Sequence, residues 1–126
     1  LLSPSVCKSL TQGVQAVKAA GAQLVSGGSP TGETRVAFQN TILTTTSREF
    51  LRQPEAFQTE MFGNAVLIVR CSDLQAVINV VDALEGNLTG CIYSAKDGSD
   101  DAAYEAPAPH LSQKVGRLLN DKMPTG

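Results

Sequence analysis

The sequence predicts an α/β fold with a mainly parallel, open sheet and helices on both faces. Three observations carry that expectation. Ala65 to Cys71 is a short, β-branched, apolar run, the kind of strand buried on both faces inside a parallel sheet. Directly behind it, Ser72-Asp73-Leu74-Gln75 forms a capping box. The helix it opens places Leu74, Val77, Ile78, Val81 and Leu84 on one face, and Gly86 ends it. Leu88 to Ser94 is a second, mostly apolar strand. Strand, capped helix and strand together predict a βαβ unit, parallel and right-handed.

The other elements follow in chain order. Ser3-Pro4 is a helix start, an N-cap followed by proline at the first helical position. Val6, Leu10, Val14 and Val17 recur at helical spacing, so a helix is expected from Pro4 to Ala20, with Gly21 as its C-cap. Gln23 to Val25 is a short strand. Ser26 to Gly32, dense in glycine and holding Pro30, is a loop. Phe38 to Thr46 is rich in Thr, Ile and Leu and reads as extended chain. Ser47 to Leu51 can form one helical turn, and Pro54 stops any longer helix. Asp97 to Pro109 is an acidic, proline-bearing loop or short irregular helix. Leu111, Val115 and Leu118 then suggest a brief amphipathic helix running into Leu118-Leu119-Asn120, which can begin another strand.

Composition narrows the function. The 126 residues suffice for one domain, with no internal repeat and no second domain apparent. Apolar residues make up 42% and charged residues 17%, too apolar for a disordered chain. A net charge of −2 gives no reason to expect nucleic acid or an anionic membrane as partner. No apolar run approaches the roughly 20 residues that span a bilayer. Three cysteines without close pairing fit a reducing cytoplasm. The first residue is Leu1 and the last are Pro124-Thr125-Gly126, so both ends read as cut from something longer.

Few residues offer chemistry. Cys7, Cys71 and Cys91 read as small buried hydrophobes, since nothing in their surroundings promises a lowered pKa. One histidine, His110, with three scattered cysteines is a poor zinc set. His110 reads as a surface residue near a helix start. The Gly27 to Gly32 loop lacks the Gly-Lys-Ser/Thr of a phosphate loop and does not open a helix. Glu60 differs: it is a lone carboxylate at the mouth of the Ala65 strand, placed either to be solvated or to accept hydrogen bonds from a ligand.

Four segments, in order, resemble the aldehyde dehydrogenase superfamily, in the part of its catalytic domain that follows the nucleophilic cysteine. They are the first helix with Ala22-Gln23-Leu24-Val25-Ser26-Gly27-Gly28, then Thr59-Glu60-Met61-Phe62-Gly63, then Leu84-Glu85-Gly86-Asn87-Leu88-Thr89-Gly90, and last Gly116-Arg117-Leu118-Leu119-Asn120 with Pro124-Thr125-Gly126. The third and fourth look closest to the branch acting on α-ketoglutaric semialdehyde. The resemblance implies that Glu60 matches the glutamate bonding the hydroxyls of the nicotinamide ribose. It implies that Phe62 packs beside the nicotinamide of NAD or NADP, and that the stretch from Asn120 to Met123 lines the aldehyde entrance. It implies oxidation of an aldehyde to a carboxylate by a parent enzyme that is a homo-oligomer. Asn64 stands where the family usually has proline, a change expected to loosen the turn but to leave Glu60 and Phe62 in register. No Gly-Gln-x-Cys nucleophile segment occurs in these 126 residues, and none of the three cysteines matches one. The chain is therefore expected to be a catalytic-domain fragment, inactive alone. A free-standing, non-catalytic α/β binding module is the alternative.

Overall fold

A computed structural model describes residues 3–32 and 36–122. The chain divides into two compact units, Leu1–Arg70 and Cys71–Gly126.

The first unit opens with α1 (Pro4–Ala19), capped by Ser3, whose Oγ accepts from the Val6 N–H. Its stripe faces inward: Leu10, Val14 and Val17 are wholly buried. Ala20 caps the helix, and Gly21 at φ +113° turns the chain out of it. The chain then enters β1 (Gln23–Ser26). A two-residue pair follows, β2 (Pro30–Thr31) against β3 (Ala37–Phe38). The centre of the unit is β4 (Thr41–Thr46), which pairs antiparallel with β1 and parallel with β5 (Ala65–Arg70).

The β4–β5 register runs unbroken from Thr41↔Ala65 to Thr46↔Arg70. Partners across a ladder share a face, and side chains alternate along each strand. Thr41, Leu43 and Thr45 therefore face the core with Ala65, Leu67 and Val69, while Ile42, Thr44 and Thr46 turn outward with Val66, Ile68 and Arg70. The inward threonines and Leu43 are buried. Between the two parallel strands lie α2 (Ser47–Arg52) and α3 (Pro54–Phe57). Thr46 caps α2 through Glu49 N–H, and Pro54 ends that helix and starts the next, as its fixed φ requires. Phe50 of α2 and Phe57 of α3 stack at 5.9 Å between ring centres and complete the core.

Among the described residues, the buried Thr45 Oγ1 in this core has no hydrogen-bond partner. A sealed, unpaired hydroxyl costs about 1–3 kcal/mol. Thr45→Val keeps the β-branched shape and removes that hydroxyl. It is expected to raise the denaturant midpoint of the chain, and a lowered midpoint would show that the hydroxyl is partnered in solution.

The second unit begins with α4 (Leu74–Asp82). Its cap is Asp73 rather than Ser72. Asp73 Oδ1 accepts from Ala76 N–H at 2.8 Å, and Ser72 Oγ donates to Asp73 Oδ2 at 2.7 Å. The expected capping box thus slides along by one position, because a carboxylate caps a helix as well as a hydroxyl. Gln75, freed from the box, reaches Asn79 instead. The helix ends at Ala83, ahead of the expected Gly86. Next come β6 (Asn87–Ile92), α5 (Asp101–Glu105), α6 (Ala108–Ser112) and β7 (Val115–Asn120), with β6 and β7 parallel. Gly90 is needed where it stands, since a Cβ there would press on Val115 at 2.9 Å and Leu111 at 3.2 Å.

The Ala76 N–H, chiefly, and the Ser72 hydroxyl hold the Asp73 carboxyl below its ordinary value, while desolvation pulls weakly the other way. A depressed folded-state pKa contributes stability above the unfolded value and loses it as pH falls through the folded one. The start of α4 is therefore expected to loosen on acidification below the ordinary carboxyl range. Amide exchange at Ala76 reads it. Asp73→Asn keeps an acceptor but no titration, and should flatten that pH dependence.

The α/β class is as expected, but three local expectations change. β5 is not buried on both faces: Val66 is 50% and Ile68 47% exposed, because the core of this unit packs only the Leu67 side. The parallel crossovers are β4–α2–α3–β5 and β6–α5–α6–β7, one element out of step with the expected strand–α4–strand unit, since β5 and β6 each find a partner within their own unit. Val115 and Leu118 lie in β7, not in a helix. Their spacing fits a helical period, yet Gly116 between them is a poor helix former, and pairing with β6 satisfies this backbone.

Candidate cofactor-binding site

The chain leaves α3 at Gln58, whose N–H bonds back to Pro54 and Glu55 carbonyls. Thr59 Oγ1 closes the same end on Ala56 O at 3.0 Å. Residues 59–64 then run without regular structure until β5 begins at Ala65. Along this loop Glu60 and Phe62 are exposed, Phe62 by 57%, while Met61 between them is half-buried.

Met61 and the Glu60 carbonyl sit against α1 at Gly13. A Cβ at Gly13 would lie 3.2 Å from both Glu60 O and Met61 Cγ, so the missing side chain is the notch that seats the loop. Among the described residues, no hydrogen bond or ion pair engages the Glu60 carboxylate. The loop thus offers a free carboxylate acceptor and an open aromatic face, two positions apart, on a backbone held from behind.

At the far end of the loop, Asn64 is hydrogen-bonded on both its side chain and its backbone. Its Nδ2 donates to Phe38 O at 2.8 Å and to Asn40 Oδ1 at 2.9 Å, and its carbonyl accepts from Thr41 N–H at 2.9 Å.

Asn120 closes β7 in the second unit and is exposed; its Oδ1 accepts from Ser94 Oγ at 3.2 Å. Asp121 follows at φ +52°, the one non-glycine residue with positive φ among the described residues. Its carboxylate takes the Ser94 N–H at 2.6 Å, and its own N–H bonds Ile92 O, so the ends of β6 and β7 are tied together. Met123, the other expected substrate residue, lies outside the described residues.

The remaining candidates behave as structural groups. Cys7, Cys71 and Cys91 are all half-buried. His110 Nδ1 meets Asp82 Oδ1 at 2.7 Å and ties α6 to α4. No cluster of His, Cys, Asp or Glu among the described residues can hold a metal, and none of the described helices is long and apolar enough to cross a membrane. A cleft of about 60 Å³ lies at the carboxyl ends of β4 and β5, lined by Thr44, Thr45, Thr46, Glu49, Arg70 and the Gly21–Gln23 turn. It is at the opposite end of β5 from Glu60, so it is not the site the sequence points to.

Sequence reasoning missed Gly13 and the hydrogen bonds of Asn64. Gly13 carried a legible signal, since an isolated glycine inside a helical pattern implies a packing reason. The Asn64 bonds carried none, because Phe38 and Asn40 are distant along the chain.

The same fold occurs in solved aldehyde dehydrogenases. Betaine aldehyde dehydrogenase from Staphylococcus aureus, in complex with NAD+, superposes with a TM-score of 0.76 at 20% identity, covering 100% of this chain and 24% of that one. 1-Pyrroline-5-carboxylate dehydrogenase from Thermus, with bound NAD, gives 0.78 at 21% identity, covering 99% and 22%. The architecture is that of an aldehyde dehydrogenase catalytic domain. The model of the aldehyde dehydrogenase family matches residues 1–105, and the chain belongs to that family. Alpha-ketoglutaric semialdehyde dehydrogenase 2 of Azospirillum brasilense is 45% identical over 80 residues, which is 64% of this chain and 15% of that protein. The chain therefore spans less than a quarter of the length of the solved relative from Staphylococcus aureus.

Proposed function

We propose that this chain is part of the catalytic domain of an NAD(P)-dependent aldehyde dehydrogenase, that the whole enzyme oxidises an aldehyde to a carboxylate, and that its substrate is α-ketoglutaric semialdehyde. The observation that carries the cofactor part is the Glu60–Phe62 loop. It presents a carboxylate that nothing among the described residues engages and an exposed ring two positions on, with the Glu60 carbonyl and Met61 seated in the Gly13 notch. These groups fit a nicotinamide riboside: the Glu60 carboxylate accepts the ribose hydroxyls, and the Phe62 face covers one side of the ring. When bound, the dinucleotide supplies the hydride acceptor. The task of this chain is orientation, since Glu60 limits rotation of the ribose and Phe62 keeps water from the ring face.

The substrate assignment rests on the 45% identity to the Azospirillum protein. In this reading Asn120 and Met123 border the aldehyde entrance. The full-length protein is a cytoplasmic homo-oligomer, a placement that an odd count of three cysteines without close pairing supports. A larger parent is favoured over a free-standing binding module by the apolar side chains left open, among them Val66, Ile68 and Leu88, the last 87% exposed.

Expression of the full-length protein and steady-state assay with α-ketoglutaric semialdehyde, betaine aldehyde and a simple aliphatic aldehyde tests the reading, with NAD+ and NADP+ in parallel. The highest kcat/KM is expected for the semialdehyde. A preference for another aldehyde would remove the substrate assignment, and no reduced nicotinamide with any of them would remove the enzyme.

A further inference from the structure

We infer that Asn64 is a positioning residue that sets the cofactor loop from its carboxyl end, working against the Gly13 notch at the other. The inference rests on the reading of Glu60 and Phe62 as cofactor-binding groups. Glu60, Met61 and Phe62 lie in a stretch without regular structure, so no helix or sheet ladder fixes their backbone. Two features do. On one side, α1 lacks a side chain at Gly13, and the Glu60 carbonyl and Met61 side chain occupy that space. On the other, Asn64 makes three hydrogen bonds, to the end of β3, to the chain that joins it to β4, and to the start of β4. Its Nδ2 donates to Phe38 O and Asn40 Oδ1, and its carbonyl accepts the Thr41 N–H.

The backbone bond belongs to the start of the β4–β5 ladder and would survive any substitution that leaves the sheet intact. The two side-chain bonds would not. They are spent on a residue that is itself exposed, where burial does not demand them. Their effect is local: they pin the Gly63 turn to the β3–β4 connection. A loop held at both ends loses less freedom when a ligand binds, so less binding free energy is consumed in ordering it. The backbone that carries Glu60 and Phe62 is then already held before the cofactor arrives.

The test uses the full-length enzyme and four variants: Asn64→Leu, Asn40→Leu, their combination, and Glu60→Gln as a reference. Asn64→Leu keeps the size of the side chain and removes both donated bonds, and is expected to lower kcat/KM for the cofactor roughly tenfold. Asn40→Leu removes one acceptor and should have a smaller effect. The double variant should match Asn64→Leu alone, since the one bond that Asn40 accepts is already lost in Asn64→Leu. The KM for the aldehyde at saturating cofactor should not move in any of them. A purely structural role would instead lower the melting temperature and kcat through the active fraction, with both KM values unchanged, and that pattern would overturn the inference. If Glu60→Gln leaves kcat/KM for the cofactor unchanged, the cofactor-loop reading falls and this inference with it. If Glu60→Gln lowers it but Asn64→Leu and Asn40→Leu do not, only the positioning role falls. Should Asn64→Leu fail to fold, Asn40→Leu still decides, because Asn40 is exposed and its side chain contributes only the acceptor.

Discussion

Glu60→Gln in the full-length enzyme is expected to lower kcat/KM for the cofactor by about ten- to a hundredfold, with the fold intact. The amide keeps one acceptor oxygen and the side-chain length but loses the charge. Hydrogen bonds to a charged group are worth about 1.5–3 kcal/mol, and that range converts to the stated loss. The fold should be spared because Glu60 is exposed and its side chain bonds nothing among the described residues; only its backbone touches Gly13. Steady-state kinetics with varied cofactor, alongside a thermal melt, separates the two. A variant with wild-type kinetics would remove Glu60 from the site. A variant with a lowered melting temperature would assign the carboxylate a structural role.

Phe50→Ala is expected to cost about 3–5 kcal/mol, the range for emptying a buried aromatic site. Phe50 is 2% exposed, stacks on Phe57, and anchors α2 in the crossover between the two parallel strands. A small domain is stable by about 5–15 kcal/mol in total, so this single change should consume a large share. Urea unfolding of the chain, followed by far-UV circular dichroism, measures it. Phe50→Leu should cost clearly less. Equal and small effects from both would mean that the ring does not fill the core of this unit.

Much of this was readable in one dimension. The α1 stripe of Leu10, Val14 and Val17 is local, and a helix of that length buries whatever its period puts on one side. Gly21 and Pro54 ended their helices for reasons contained in their own backbones. Glu60 and Phe62 stood out because a lone carboxylate and an aromatic precede an apolar strand, and the structure leaves both side chains open. Which strand pairs with which was not readable. Thr41–Thr46 and Ala65–Arg70 are separated by two short helices, and nothing in either run names its partner. The Leu111, Val115 and Leu118 spacing satisfied a helix until β6 supplied hydrogen bonds to the same backbone.

The amino-acid sequence by itself determined the α/β class, the stripe of α1, and the helix ends set at Ser3, Gly21 and Pro54. These depend on contacts between near neighbours in the chain. The tertiary structure alone decided the strand partners, the open outer face of β5, and the clamp of Gly13 and Asn64 on the loop. Those depend on residues far apart in sequence, whose meeting is set by the packing of the whole unit rather than by any local preference.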